Sequence, residues 1–144
     1  MGRGIATQFR DRFGRVDELH SQNKQVGQVA YLTLKVRANN SQSSSSNNSN
    51  DSNDSNASNG KKESNLIVFY LISKKFYYGK PSYQSLTDCL IEMKSIAQSS
   101  NIKTIAMPRI GCGLDLLDWN RVKAILEEIL VSKDNGINVI VYTN

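Results

Sequence analysis

The sequence predicts an α/β protein with a largely parallel sheet. Amphipathic runs with helical spacing alternate with short apolar runs throughout the second half of the chain. A strand, a glycine-rich turn and a helix also follow one another directly over residues 102–130. This alternation is typical of parallel sheets, which bind ligands at the carboxyl ends of their strands. We therefore expect the functional residues to follow the predicted strands.

The first 38 residues predict two helical segments and one strand. Ile5, Phe9 and Phe13 are four residues apart, so they share one face of a helix. Residues 16–22 could form a short helical turn. Residues 28–36 alternate between two faces, which predicts a strand with one buried side.

A polar tract then interrupts the pattern. Residues 39–59 are Asn, Ser and Asp with one Gln and one Ala, and such a segment cannot bury enough apolar surface to offset its ordering entropy. We predict a disordered insertion over residues 39–64 within a single domain. The run Leu66–Ile72 that follows predicts a strand buried on both faces. The two flanking strands suggest a hairpin with an expanded turn. Such a long turn is tolerated, because the entropic cost of closing a loop grows only slowly with its length.

The second half predicts two helices and two strands. Pro81 suits the first turn of a helix, and an apolar stripe follows it to about Ser100. The residues of this stripe are Leu86, Cys89, Leu90, Met93, Ile96 and Ala97. Residues 102–107 form the next predicted strand. A second amphipathic helix starts at Trp119 behind the N-cap Asp118 and is closed by Gly136, and residues 137–142 form the last strand.

Composition restricts the classes of function. The net charge is +5, and residues 1–38 hold seven Lys or Arg against three acids. This excess suits an anionic ligand or nucleic acid, although a solubilising surface explains it equally well. Two cysteines indicate neither a disulfide framework nor a metal site, and the default is a reducing compartment. The sequence shows no signal peptide and no run of about 20 apolar residues, so we expect no membrane association.

The central motif is the loop from Arg109 to Asp115. Gly111 and Gly113 lie between a predicted strand and a predicted helix, where free N–H groups can hold an anion. The pattern is compatible with a phosphate-binding loop that holds Asp115 beside its ligand, and equally with a tight turn before a helix. Gly2 and Gly4 form a second such pair before the first helix.

Residues 73–80 form a second motif, with three lysines and three aromatic residues in eight positions. It could be a platform for a nucleobase or a sugar with cationic partners. It could also present a lysine nucleophile at the end of a strand. A solvated loop with aromatic packing is the alternative.

Five segments together resemble the macrodomain family: MGRGIATQFRDRFG, YLISKK, KPSYQSL, MPRIGCGLD and VIVYTN. The branch they resemble is the terminal ADP-ribose protein glycohydrolase, also described as an O-acetyl-ADP-ribose deacetylase. The resemblance covers residues 1–38 and 65–144. It implies a three-layer α/β/α fold with a mixed, mostly parallel sheet that lacks the family's first two strands.

The resemblance also implies roles for particular residues. Lys74 is the candidate nucleophile and Asp115 the candidate acid/base. The implied substrate-binding residues are Gly2, Gly4, Ile5, Arg109, Ile110, Gly111, Cys112, Gly113, Leu114 and Asn144. The implied partners are ADP-ribose, O-acetyl-ADP-ribose and ADP-ribosylated proteins, with no metal and no cofactor. We expect a nuclear or cytoplasmic monomer that removes ADP-ribose from acidic side chains.

Three alternatives to this expected function stay open at the level of the sequence. The family has about forty residues before the segment that starts this chain, including a central strand and an Asp that reads adenine. The resemblance therefore implies an unstable or inactive product of truncation. A reader that binds ADP-ribose without turnover is the second hypothesis, although such a reader needs neither Lys74 nor Asp115. Nucleic-acid binding is the third, but no recognition motif accompanies the small charge excess.

Overall fold

A computed structural model describes residues 4–37, 63–76, 78–133 and 136–143. These residues form four helices and four strands in the order α1 (Ile5–Phe13), α2 (Val16–Ser21), β1 (Val29–Arg37), β2 (Glu63–Leu71), α3 (Tyr83–Ser99), β3 (Thr104–Pro108), α4 (Trp119–Leu130) and β4 (Asn138–Tyr142). The chain divides into two compact units. Residues 1–32 and 69–144 form the first unit, and residues 33–68 form the second.

Helices cover both faces of β1 within the first unit. Val29 belongs to the main core, with the buried faces of α3 and α4. Ala30 and Leu32 form a second cluster with Leu19 of α2, against which Phe13 of α1 packs. Successive side chains of a strand point to opposite faces, so this alternation places helices on both sides. The start of β1 is therefore buried on both faces, whereas the alternation predicts one buried side. Helices on both sides agree with the layered fold that the resemblance implies.

The main core follows from the helical spacing of apolar residues. In α3 the buried residues are Ser85, Leu86, Cys89, Leu90, Met93 and Ala97, which confirms the predicted stripe except for Ile96, which is half-buried. Val122, Leu126 and Leu130 are the buried residues of α4. Both helices begin at a side-chain cap, because Ser82 accepts from the Ser85 N–H and Asp118 accepts from the Asn120 N–H. These caps fix where the helices start beside the site.

The described strands form two two-stranded sheets, β1–β2 and β3–β4, rather than one continuous mixed sheet. β3 and β4 are parallel, with Thr104 opposite Asn138 and Pro108 opposite Tyr142. The α4 helix connects these two strands, as parallel pairs require.

Side chains also satisfy the backbone of β1. The Gln22 amide donates to the Tyr31 carbonyl at 2.8 Å and accepts from the Tyr31 N–H at 3.0 Å. The Glu92 carboxylate accepts from the Val29 N–H at 2.5 Å and pairs with Lys24. Since unpaired strand groups invite association with other chains, these contacts protect the strand.

Several predicted boundaries are wrong. β2 begins at Glu63, so the last two residues of the predicted insertion are part of a strand. Leu66 is 45% exposed, so β2 is not buried on both faces. α4 ends at Leu130, well before Gly136. Residues 39–62 of the predicted insertion lie outside the described residues, and its disorder stays a prediction.

Candidate active site

Lys74 follows the end of β2 by three residues. The backbone just before it is fixed by α3, because the Ser85 hydroxyl donates to the Ser73 carbonyl at 2.7 Å. Ser85 is only 8% exposed and also takes part in the capping box of α3. The start of α3 therefore holds the segment that carries Lys74.

The side chains of Lys74 and Asp115 meet, although 41 positions separate them in the sequence. The Lys74 ammonium donates to the Asp115 carboxylate. The side chains are 25% and 24% exposed. An amine and a carboxylate in contact can exchange a proton with each other or with a bound molecule. Their partial exposure leaves them open to that molecule.

Gly111 shapes the loop that leads to Asp115. It adopts a φ of 72°, a conformation in which side chains are disfavoured. Its carbonyl accepts from the Leu117 N–H at 2.8 Å, and a Cβ at this position would lie 2.8 Å from the Leu117 side chain. The positive φ favours glycine, and any Cβ here would also require the end of the Leu117 side chain to shift.

The loop is partly packed against the core and partly exposed. Ile110 and Cys112 pack against the main core. Gly113 is exposed, and Leu114 is 70% exposed. Among the described residues, no backbone carbonyl accepts a hydrogen bond from the N–H groups of Gly113 and Leu114. Outward N–H groups in a turn can bind an anion.

The second predicted glycine segment lies beside this loop. Gly4 is the N-cap of α1, with a φ of 72°, and a Cβ on it would be 3.9 Å from Cδ1 of Leu114. Ile5 starts the helix and is 46% exposed. The first N–H groups of a helix lack partners within it, so two sources of backbone donors are close together here. Gly2 and Asn144 lie outside the described residues.

Arg109 and Asp118 connect the loop to the helices. The Arg109 guanidinium lies 5.5 Å from the centre of the Trp119 ring, so its side chain contacts α4. The Tyr83 hydroxyl accepts from the Asp118 N–H at 3.0 Å. The Arg121 guanidinium lies 3.9 Å from the centre of the Tyr83 ring. These contacts join the first turns of α3 and α4 around the end of the loop.

Cys112 is a poor nucleophile in this loop. Burial raises the pKa of its thiol above the ordinary value; Arg109 opposes that shift and Asp118 adds to it. The thiol also donates to the Ile110 carbonyl at 3.3 Å. Because the thiolate is the reactive form, the raised pKa makes attack on a substrate by Cys112 less favourable.

The structure thus brings together Lys74, Asp115, the glycine loop and Gly4. Sequence reasoning missed Ser85, Tyr83 and Leu117 as supporting residues. The spacing of Ser82 and Ser85 is a capping signal that could have identified the first. The contacts of Tyr83 and Leu117 depend on packing and leave no local signal.

Two general features bear on the kind of site. Within the ranges that the structure describes, no group of three or more His, Cys, Asp or Glu could hold a metal ion. None of the described helices has the length and apolar character needed to span a membrane.

Comparison with known proteins identifies the family. Residues 51–126 match the family described as Macro domain. ADP-ribose glycohydrolase OARD1 of Bos taurus and of Homo sapiens is 36% identical over 143 residues, which cover 99% of this chain and 74% of each relative. The α/β fold is that of a macrodomain. The chain belongs to the Macro domain family.

Solved structures share this fold. The macrodomain of Thermus aquaticus DarG is 20% identical with a TM-score of 0.68, and the match covers 100% of this chain and 82% of that one. Thermosipho africanus DarTG in complex with ADP-ribose is 16% identical with a TM-score of 0.62, covering 98% of this chain and 34% of that one. Both likenesses concern the fold alone.

Proposed function

We propose that this chain is an ADP-ribose glycohydrolase that removes ADP-ribose from acidic side chains of modified proteins. The observation that carries the proposal is the contact between Lys74 and Asp115 beside the glycine loop. The names of the relatives that are 36% identical to it support the same activity. We expect the substrates to be ADP-ribosylated proteins. That the enzyme is a monomer and that it is nuclear or cytoplasmic both stay predictions.

The diphosphate of ADP-ribose would bind to backbone N–H groups. Gly113 and Leu114 offer such groups, and the start of α1 lies next to Leu114. Backbone donors and the positive end of a helix dipole both favour a phosphate. The distal ribose of the ligand would then lie close to Asp115, the next residue of the loop.

Lys74 would attack the distal ribose as a neutral amine, after its ammonium group has released a proton to solvent. Its Nζ forms a bond to the anomeric carbon while the bond from that carbon to the carboxylate of the modified protein breaks. The protein carboxylate leaves with the bonding electrons, and the nitrogen, now bonded to the sugar, carries the positive charge. The substrate protein is released at this step without its ADP-ribose.

Asp115 would act in the second step. Its carboxylate removes a proton from a water molecule that attacks the same carbon, and the Lys74 amine leaves as the neutral group. The products are ADP-ribose and the free enzyme, and Asp115 returns its proton to solvent. The net reaction consumes one water molecule.

Release of ADP-ribose from a glutamate-ADP-ribosylated protein tests the proposal. We expect Lys74→Ala to lower the release rate at least about a hundredfold, because the covalent route is lost. Lys123→Ala is the matched control, since Lys123 is 59% exposed on α4 and pairs only with Glu127 among the contacts described. Undiminished release by Lys74→Ala would reject the nucleophile.

A second activity follows for the same site. The resemblance implies that the enzyme also deacetylates O-acetyl-ADP-ribose, and the same backbone groups would hold that ligand. We expect wild-type protein to release acetate and Asp115→Ala to release it far more slowly. Equal rates for the two proteins would remove Asp115 from this reaction.

A reader that binds ADP-ribose without turnover is the alternative. It is favoured if calorimetry detects ADP-ribose binding while no modified substrate loses its ADP-ribose. Calorimetry with RNA separates both hypotheses from nucleic-acid binding. The enzyme hypothesis requires binding of ADP-ribose and release of product by the same preparation.

A further inference from the structure

Exposed aromatic residues lie directly after Lys74. Phe76 is 49% exposed and Tyr78 is 71% exposed. Single exposed apolar residues are normal on protein surfaces, whereas adjacent ones form patches that often bind partners. We call Lys75, Phe76, Tyr78 and Lys80 the lysine–aromatic platform.

Contacts within the platform hold its aromatic rings together. The rings of Phe76 and Tyr78 are stacked, with centroids 5.2 Å apart and planes 3° apart. The Lys75 ammonium lies 5.4 Å from the centre of the Phe76 ring. The Gly79 N–H donates to the Phe76 carbonyl at 3.0 Å, which closes a tight turn. A partner would therefore meet a preformed surface.

The charge of this region has one sign. Lys74, Lys75 and Lys80 lie in a stretch of sequence with no acidic residue between Glu63 and Asp88. Lys74 is paired with Asp115, so Lys75 and Lys80 supply the positive charge of the platform. A positive surface attracts a negatively charged partner and suppresses binding of a positive one.

The position of the platform indicates which partner it meets. Phe76 is two residues from Lys74, so its Cα lies within about 7 Å of the Lys74 Cα. A protein substrate whose modified side chain reaches Lys74 brings its neighbouring residues close to this surface. We infer that the lysine–aromatic platform binds the acidic polypeptide segment that flanks the modified side chain. This inference rests on the proposed function, because it takes Lys74 as the point of attack.

Each part of the platform would contact a different part of that segment. The ammonium groups of Lys75 and Lys80 attract its carboxylates. The rings of Phe76 and Tyr78 provide flat apolar surface for the methylene groups of glutamate side chains and for the peptide backbone. A peptide with basic flanks has the same ADP-ribose but the wrong charge.

Two peptides with the same ADP-ribosylated glutamate, one with acidic and one with basic flanks, test the inference. Binding is measured by fluorescence anisotropy in the Lys74→Ala background, so that turnover does not consume the peptide. We expect tighter binding of the acidic peptide. Both Phe76→Ser/Tyr78→Ser and Lys75→Gln/Lys80→Gln should weaken it about tenfold, with little change for the basic peptide.

Two matched controls account for general surface effects. Ile91→Ser removes an exposed apolar residue of α3, which is 52% exposed, and Lys123→Gln removes an exposed charge of α4. Neither should alter the preference for acidic flanks. Calorimetry with free ADP-ribose should give the same affinity for all these variants, which establishes that they are folded.

Three results would overturn the inference. They are equal binding of the two peptides, equal weakening of both peptides by the platform variants, and platform-dependent binding of single-stranded RNA without any preference for the acidic peptide. Failure of the proposed function is recognised separately. In that case wild-type protein releases no ADP-ribose, while the platform variants still weaken binding of the acidic peptide.

Discussion

Gly111 gives the glycine loop its shape at the scale of one residue. Its positive φ strains any residue with a Cβ, and a Cβ would also displace the end of the Leu117 side chain. Gly113 differs, because a Cβ there would meet nothing within 4 Å. Backbone conformation and packing therefore explain glycine at position 111 but not at position 113, although the sequence motif presents the two as equivalent.

We predict that Gly111→Ala lowers the free energy of unfolding by about 1–3 kcal/mol, since strain and overpacking add. It should also weaken ADP-ribose binding, because the loop must move. Gly113→Ala is the matched control and should change the free energy of unfolding by less than about 0.5 kcal/mol. Chemical denaturation measures both, and equal losses would contradict this account of the loop.

Cys89 makes stability depend on pH. It is fully buried on α3, and burial raises the pKa of its thiol to about 11, with Glu92 and Asp88 adding to the shift. The unfolded chain loses this proton near its ordinary pKa, whereas the folded chain keeps it. The contribution to stability is therefore fully present below the ordinary pKa and is lost as pH rises through the raised value.

We predict that stability falls by on the order of 2 kcal/mol between about pH 9 and pH 11 because of this thiol. Cys89→Ala should show a shallower fall over the same window, and the difference between the two curves removes the effect of titrating lysines. Urea denaturation across this pH range measures it. Parallel curves for the two proteins would exclude Cys89 as the cause.

At the scale of elements, the start of α3 supports the segment that carries Lys74. Ser82 and Ser85 cap the helix together, but the contact with the Ser73 carbonyl comes from Ser85. Substitution of Ser82 therefore tests helix capping alone, whereas substitution of Ser85 tests capping and the contact with the Lys74 segment together. Ser82 is thus the control for Ser85.

We predict that Ser85→Ala and Ser82→Ala each lower the free energy of unfolding by about 1 kcal/mol, because each removes part of the cap. Ser85→Ala should in addition lower kcat for ADP-ribose release, as the Lys74 segment loses a tie, while Ser82→Ala leaves kcat close to wild type. Thermal melts and the release assay check both. Equal kcat values would show that the Ser73 contact does not position Lys74.

The spacing of apolar residues predicts the helices well and their ends less well. α4 ends at Leu130, where its buried stripe ends and Val131 is 50% exposed, and the glycine further on is not part of the helix. β2 begins with the polar residues Glu63, Ser64 and Asn65, because pairing with β1 uses backbone groups and needs no apolar side chain. A pattern of side chains cannot detect such a start.

At the scale of the whole molecule, the family resemblance predicted contacts that local sequence patterns could not. The contact of Lys74 with Asp115 joins distant positions, and no periodicity predicts it. The glycine loop alone left a phosphate site and a simple turn equally open. One continuous sheet was expected, whereas the described strands form two pairs. Pairing between distant strands depends on the whole fold, so a single segment does not determine it.

The most direct test of the central claim is the intact mass of Asp115→Ala after incubation with a glutamate-ADP-ribosylated protein. If the Lys74 amine attacks the sugar and Asp115 then activates water, this variant should accumulate one ADP-ribosyl group, which fragmentation places on Lys74. Wild-type protein should show none. An unmodified Asp115→Ala protein, together with wild-type release by Lys74→Ala, would contradict the account.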